Sequence, residues 1–300
     1  MNAAAAGLAP RRFEAADLAE GREELLQRAF ADDGFLIVDR FCSTRTCATL
    51  RAEMGELLTK MAAPERLTAF STSDQGHAAH QYFLDSADRV SLFFEPDALD
   101  EGGELRGPLE AALNKVGHAL HDLNPVFATF SRDRRLAALC AALGMADPRL
   151  LQSMYMFKQP RIGGEVSWHQ DSTFLYTDPP SVVGLWFALQ PASVSNGCMW
   201  ALPGSHRLGL KRRFVRGDDG MRFEQLDATP WPLAGEVPLE APAGTLVVLH
   251  GELAHWSAPN TSSRSRHAYA VHVVDGRARY SQRNWLQRKA LGPATGFVTE

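Results

Sequence analysis

The second half of the chain consists of short apolar segments separated by glycine, proline and asparagine, and this pattern restricts the fold more than any other feature. Seven segments follow one another, at 150–158, 166–172, 182–188, 199–202, 236–239, 245–249 and 267–274. Many short strands with such turns between them are typical of a β-sandwich or a jelly roll. The sequence therefore predicts a mainly β-sheet core from about residue 150 onward.

The first half of the chain has mixed patterns. Helices are predicted at 22–31, 43–58, 109–123 and 133–143, and strands at 35–41 and 89–95. Gly34 and Gly144 are suitable terminators for the first and last helix, and Ser43 is a suitable N-cap for the second. Residues 1–20 are predicted as a flexible lead-in and 68–76 as a polar loop. Since no linker divides the remainder, residues 21–300 are expected to form one domain, with the helices packed against the sheets.

Composition excludes several classes of protein. A net charge of -4 gives no basic footprint for nucleic acid, and Lys211-Arg212-Arg213 is interpreted as a short solvated loop. The four cysteines form no Cys-x-x-Cys pair, which argues against a zinc framework and favours a reducing compartment. No apolar run approaches the roughly twenty residues that span a bilayer, and the N-terminus lacks the apolar core of a secretory signal. We therefore expect a cytoplasmic protein that does not enter membranes.

A His-x-Asp pair lies in the second of the seven predicted strands. Side chains two residues apart point to the same face of a strand, so His169 and Asp171 can bind one metal while Gln170 turns away. His255 can supply a third ligand from a distant segment. Two imidazoles and one carboxylate on one side of a metal leave positions open, as in non-haem Fe(II) oxygenases. A competing pair, His250 and Glu252, is also a His-x-Glu motif and remains chemically possible.

The order of these motifs resembles the phytanoyl-CoA dioxygenase family. The resemblance rests on the His-x-Asp pair, on the His-x-Ser-x-x-Asn motif at 255–260, and on Arg266 at the head of the last predicted strand. Further matching segments lie at 33–38, 114–121, 152–155, 196–206 and 284–287. The match covers nearly the whole chain from about Phe30, and it favours the triad His169, Asp171 and His255 over the competing pair.

The resemblance implies an oxygenase that uses Fe(II), 2-oxoglutarate and O2, with ascorbate as a candidate stimulant. It implies a double-stranded β-helix (a cupin-like jelly roll) with buttressing N-terminal helices. The reaction implied is hydroxylation of a small molecule with release of succinate and CO2. The family name suggests an acyl-CoA substrate, but the sequence offers no clear basic cluster for its phosphates.

The resemblance also implies which residues bind 2-oxoglutarate. Arg266 would hold its distal carboxylate through a planar fork of donors, with Arg264 as the competing residue. Ser257 would add a hydroxyl group. Three further positions that match co-substrate contacts in the family are Lys115, Met154 and Trp186.

Two other functions remain open from the sequence. One is a non-catalytic jelly roll that binds a metabolite or a protein, and the other is a zinc-dependent hydrolase or isomerase that uses the same triad. Four more histidines have no assigned chemistry: His118 and His121 are interpreted as packing or substrate-side groups, His206 as structural, and His250 as packed behind the metal site.

Overall fold

The protein is described by a computed structural model that covers residues 9–18, 22–61, 81–217 and 220–297. The polar loop predicted at 68–76 lies outside these residues. The helices are α1 (Glu23–Asp33), α2 (Thr44–Lys60), α3 (Gln81–Asp85), α4 (Leu109–Ala112), α5 (Leu120–Leu123), α6 (Pro125–Ser131) and α7 (Arg134–Ala142).

The strands are, in chain order, β1 (Arg12–Glu14), β2 (Phe35–Asp39), β3 (Val90–Phe94), β4 (Leu113–His118), β5 (Pro148–Met156), β6 (Val166–His169), β7 (Thr177–Asp178), β8 (Val183–Ala188), β9 (Met199–Ala201), β10 (Arg212–Gly217), β11 (Gly220–Gln225), β12 (Val237–Leu239), β13 (Leu246–His250), β14 (His255–Ser257), β15 (Ala268–Asp275) and β16 (Arg279–Tyr280). Each of the seven segments predicted from residue 150 onward overlaps one of these strands.

Two sheets form the jelly roll. The larger sheet has the order β1-β2-β13-β8-β15-β5-β4-β3, and the smaller has the order β12-β9-β14-β6. Successive side chains along each strand of the larger sheet point to opposite faces, and each face packs into a separate hydrophobic core. Val247, Trp186 and Ala270 are paired across β13, β8 and β15, and they belong to a core shared with the smaller sheet. Val248, Leu185 and Val271 belong to the opposite core, which the N-terminal helices cover.

The predicted helices of this covering layer are largely confirmed. α1 ends at Gly34, which adopts φ 81° and donates its backbone N–H to Phe30 O. α2 begins after Ser43, whose side chain accepts a hydrogen bond from the backbone N–H of Thr46. α7 is followed by Gly144 at φ 92°. These helix ends could be predicted from the sequence, because a cap involves only a few neighbouring residues.

The helix predicted over 109–123 is wrong. This stretch contains the short α4, then β4, and then the short α5. β4 lies between β3 and β5, where Lys115 is opposite Phe93 on one side and Met156 on the other. Pairing with two distant strands overrides the helical spacing of the apolar residues.

Three further differences concern strands. Within the lead-in predicted as flexible, Arg12–Glu14 form β1, which runs parallel to β2. The run Lys211-Arg212-Arg213 is not a solvated loop, since it opens the antiparallel hairpin β10–β11 and Lys211 is buried. Short β14 was also missed, although it contains His255.

Three histidines outside the triad, the buried His121 and the half-buried His250 and His267, should make stability depend on pH. Burial lowers the pKa of His121, His250 and His267 to about 4 each. Below pH 6.5 the unfolded chain therefore binds more protons than the folded chain, and the free energy of unfolding falls as the pH falls towards 4. Between pH 7 and 5 we expect a loss of about 1–2 kcal/mol for each imidazole. Urea unfolding at several pH values measures this loss, and a flat profile would contradict it.

None of the helices in the described residues is long and apolar enough to cross a membrane.

Candidate metal centre and co-substrate pocket

His169, Asp171 and His255 meet at one point between the two sheets. β14 pairs antiparallel with β6, and this pairing places His255 directly opposite His169. Asp171 follows two residues later, in the 3-10 turn Asp171–Thr173. Asp171 Oδ1 lies 3.7 Å from the Nε2 atoms of both histidines, and the imidazole centroids are 4.2 Å apart. The potential ligand atoms all lie within 4.8 Å of one another, which suits a single metal ion.

The tautomers of both imidazoles are fixed by their own chain. His169 Nδ1 lies 2.8 Å from Ser167 O, and His255 Nδ1 lies 3.0 Å from Leu253 O. A carbonyl oxygen only accepts, so each Nδ1 carries the proton and each Nε2 presents its lone pair towards Asp171. Burial, and then the neighbouring His255, lower the pKa of His169 to about 4 and keep it neutral. Both histidines are therefore prepared to bind a metal.

His272 on β15 contacts the carboxylate oxygen of Asp171 that does not face the other two residues of the triad. This oxygen, Oδ2, lies 3.3 Å from His272 Nε2. Gly184 on β8 leaves the space for this contact, because a Cβ atom there would lie 3.0 Å from Oδ2. Burial alone would raise the pKa of Asp171, but the surrounding histidines, His272 first, lower it well below its usual range. The carboxylate is therefore ionised, with Oδ1 left for the metal.

Replacing His272 with Leu should weaken metal binding without removing a ligand. Asp171 Oδ2 would lose its donor in a buried site, so its orientation and its charge would both be less well supported. We expect the metal affinity to fall about 10–100-fold. Anaerobic Fe(II) titration measures this change. His250→Leu is the matched control, because His250 packs against Phe30 and His206 and is not among the residues that line the pocket of Asp171. Equal Fe(II) affinities in the two variants would contradict the role of His272.

Gln170 turns away from the metal site, as its position between the two ligands predicts, but it is buried and fully engaged. Its Nε2 donates to Gly209 O (2.9 Å) and Glu252 O (2.7 Å), and its Oε1 accepts from Lys211 N (2.9 Å). One side chain thus connects the metal-binding segment to the base of the hairpin β10–β11. No sequence pattern indicates these partners, which lie 39 and 82 residues away along the chain.

The competing pair His250 and Glu252 does not form a metal site. His250 Nδ1 accepts from the backbone N–H of Glu252 at 3.1 Å, and its ring lies 4.9 Å from that of His206. In the described residues, the group that could hold a metal is the triad around Asp171.

Arg266 lines the same pocket as the triad and is 3% exposed. Its Nη2 donates to Gly197 O at 2.9 Å, and its guanidinium lies 5.4 Å from the ring of Trp186. Nε and Nη1 have no hydrogen-bond partner within the parts of the chain that the structure describes. Burial lowers the pKa of Arg266 to about 10, so it remains a cation at neutral pH. Two buried N–H groups without acceptors fit a carboxylate. Arg264, the competing residue, is exposed.

Lys158 is a second buried cation beside Arg266 that sequence reasoning missed. Its Nζ donates to Gly164 O (2.6 Å) and to Ser257 Oγ (2.9 Å). Burial and then the charge of Arg266 lower its pKa to about 7. Since an ammonium only donates, the Ser257 hydroxyl keeps its own proton free to donate to a ligand. The one sequence feature that could have indicated its burial is its position at the end of the apolar strand predicted at 150–158.

Lys115, Met154 and Trp186 all line the pocket. Lys115 Nζ lies 3.9 Å from Met154 Sδ and 5.2 Å from the centroid of Phe93. Burial lowers its pKa to about 7. The structure therefore brings together every residue that the sequence suggested for metal and co-substrate.

The remaining histidines have different surroundings. His118 lines the pocket, with Nδ1 2.8 Å from Ser86 Oγ, and burial holds its pKa well below the usual value. His121 lies 2.9 Å from Ser153 Oγ through Nδ1 and 3.1 Å from Asp122 through Nε2. His206 Nε2 contacts Ala31 O at 3.0 Å, on the surface of α1.

The donor set fits an iron and a dicarboxylate. Two imidazoles and an ionised carboxylate face one point, and the same pocket is lined by a buried guanidinium, two of whose N–H groups lack an acceptor among the described residues. A jelly roll with this centre defines the class of non-haem iron, 2-oxoglutarate-dependent oxygenases.

Comparison with known proteins supports this class. The family model described as Phytanoyl-CoA dioxygenase (PhyH) matches residues 30–268. Phytanoyl-CoA dioxygenase of Arabidopsis thaliana is 44% identical over 263 residues, which cover 87% of this chain and 92% of the relative. Phytanoyl-CoA dioxygenase domain-containing protein 1 of Mus musculus is 42% identical over 270 residues, which cover 87% of this chain and 93% of the relative. The chain belongs to the phytanoyl-CoA dioxygenase family, whose members are non-haem iron, 2-oxoglutarate oxygenases.

Solved structures agree on the fold. The non-haem α-ketoglutarate-dependent carbocyclase SnoK from nogalamycin biosynthesis matches with a TM-score of 0.61 at 20% identity, covering 97% of each chain. EctD from S. alaskensis, solved with 2-oxoglutarate and 5-hydroxyectoine, matches with a TM-score of 0.62 at 19% identity, covering 94% of this chain and 88% of that one. The predicted jelly roll is confirmed.

Proposed function

We propose that this protein hydroxylates a small organic molecule with O2 and 2-oxoglutarate, and that His169, Asp171 and His255 hold the Fe(II). The observation that carries this proposal is that two buried N–H groups of Arg266, in the same pocket as the triad, have no acceptor among the described residues. A structural arginine would have acceptors for these donors. A ligand with a carboxylate supplies them.

The iron, when bound, supplies the activation of O2 that couples decarboxylation of 2-oxoglutarate to oxygenation of the substrate. The chain positions the reactants. Arg266 binds the distal carboxylate of 2-oxoglutarate, and the Ser257 hydroxyl, oriented by Lys158, donates a further hydrogen bond to it. Trp186, Met154 and Lys115 form the walls beside this carboxylate and exclude water from it.

Succinate formation tests the proposal. Protein reconstituted with Fe(II) is incubated with 2-oxoglutarate, O2 and ascorbate, without added substrate. Uncoupled turnover should release succinate, and metal-free or zinc-loaded protein should release none. Screening metabolites for a stimulation of this release, with mass spectrometry for a gain of one oxygen, then identifies substrates. Absence of succinate above the metal-free control would overturn the proposal.

We also propose that the protein works in the cytoplasm. All four cysteines are free and buried, and the sulfurs of Cys42 and Cys47 lie 3.7 Å apart without a disulfide. A reducing compartment keeps such a pair as thiols. Cell fractionation tests this assignment.

A further inference from the structure

We infer that the substrate is a small organic anion, a carboxylate or a phosphate monoester, and that Arg212 binds its charged group at the rim of the pocket. This inference rests on the proposed function and names the substrate class for the same site. Arg212 is the first residue of β10 and lines the pocket that contains the triad and Arg266. It is partly buried, whereas Asp171 and His255 are buried, so it lies on the side of the pocket nearer to solvent.

Arg212 has no anionic partner within the part of the chain that the structure describes. Across the described residues, no carboxylate or carbonyl oxygen accepts a hydrogen bond from its guanidinium, which instead lies 4.4 Å from the ring centroid of Phe223. Burial lowers its pKa, and no acidic side chain opposes that effect. A guanidinium held over an aromatic ring with its donors directed elsewhere is ready to bind a ligand.

The other basic residues of the hairpin are engaged elsewhere. Lys211 forms an ion pair with Asp227, and Arg222 with Glu224. Arg216 donates to Trp285 O at 2.7 Å, and Arg213 lies over the ring of Tyr176 at 3.5 Å. Arg213 has the same kind of ring contact as Arg212, but Arg212 lines the pocket and Arg213 does not. The hairpin therefore offers the pocket one cation, which suits a single anionic group. An acyl-CoA, with its several phosphates, would need a cluster of such cations.

An aromatic wall connects Arg212 to the metal centre. Phe223, below the guanidinium, lies 6.3 Å from Phe174, and Phe174 lies 6.4 Å from the ring of His169. Phe174 also lines the pocket. A substrate whose anionic group binds Arg212 would place its apolar body along Phe174 and a C–H bond near the metal.

The position of Arg212 is fixed relative to the triad. Its neighbour Lys211 donates its backbone N–H to Gln170, which lies between His169 and Asp171 in the chain. At the other end of β10, the backbone N–H of Arg216 donates to Arg283 O at 2.7 Å. Because both ends of the strand are held, the distance between the anion-binding residue and the metal is set before the substrate arrives.

The test compares matched ligands on the full chain, loaded anaerobically with Fe(II) and 2-oxoglutarate. The probes are 3-phenylpropanoate, phenyl phosphate and the neutral 3-phenylpropanamide, and binding is measured by isothermal titration calorimetry. At least one anion should bind about tenfold or more tightly than the amide, and the tighter anion identifies a carboxylate or a phosphate as the natural group. Arg212→Gln should abolish this preference, and Arg212→Lys should reduce it. Arg222→Gln, which removes a hairpin cation outside the pocket, should leave it unchanged.

Several outcomes would overturn the inference: an amide that binds as tightly as both anions, no measurable binding of either anion, or a full anion preference in both Arg212 variants. If Arg212→Gln fails to fold, Arg212→Lys carries the comparison. Uncoupled succinate release, measured without probes, is the separate test of the proposed function. Succinate release without anion preference overturns only the assignment of Arg212.

Discussion

An Asp171→Ala variant is expected to lose metal binding and succinate formation together. Asp171 Oδ1 lies 3.7 Å from both ligand imidazoles, and it is the only carboxylate in the triad. Its removal takes away one ligand and the negative charge that balances the metal. We expect the Fe(II) affinity to fall at least about a hundredfold and turnover to fall to the metal-free background. Metal analysis after anaerobic reconstitution and succinate measurement report the two losses.

Glu252→Gln is the matched control for this variant. Glu252 belongs to the competing His-x-Glu motif, and it lies in the same region without joining the triad. The control should bind Fe(II) and release succinate as the parent protein does. Loss of iron in Glu252→Gln, with iron retained in Asp171→Ala, would reverse the assignment of the ligands.

An Arg266→Leu variant is expected to lose affinity for 2-oxoglutarate while keeping its stability. The KM for 2-oxoglutarate should rise at least about a hundredfold, because a charge-assisted, bidentate contact in a buried site is removed. Without 2-oxoglutarate, the free energy of unfolding should fall by no more than about 1 kcal/mol, because within the described residues the Arg266 side chain makes one hydrogen bond, to Gly197 O, and leaves two donors without an acceptor. The thermal stabilisation that 2-oxoglutarate gives the parent protein should disappear.

Arg264→Gln is the control here, since Arg264 is a nearby arginine that is exposed. It should leave the KM for 2-oxoglutarate unchanged. If Arg264→Gln raised the KM and Arg266→Leu did not, the distal carboxylate would have to be assigned to Arg264. A large loss of stability in Arg266→Leu alone would indicate a structural role for this cation.

The parts of the site that depend on strand parity could be predicted from the sequence. β6 ends at His169 and Asp171 begins a 3-10 turn, but Gln170 between them is extended (φ -123°, ψ 136°), so the side chains of His169 and Asp171 still lie on one side while Gln170 turns away. Arg266 precedes an apolar strand, and the sheet buries it as expected. His272 shares its parity with Ala270 and Ala268, and the same rule would have placed it in the pocket.

The parts that depend on pairing between distant segments could not be predicted. The spacing of apolar residues in 109–123 satisfies a helix as well as a buried strand, and β3 and β5 decide the outcome by pairing with β4. The partners of Gln170 are backbone groups of Gly209, Lys211 and Glu252, which carry no side-chain signal. The burial of Lys158 and the missing partner of Arg212 are likewise properties of the folded chain.

Each imidazole of the triad takes its orientation from the carbonyl two residues before it, Ser167 O for His169 and Leu253 O for His255. The orientation of each ring therefore depends on three consecutive residues and not on distant parts of the jelly roll. Such a local arrangement can be kept while the residues that line the rest of the pocket are substituted. A scaffold of this kind can acquire new substrates by evolution while its oxidising centre stays the same.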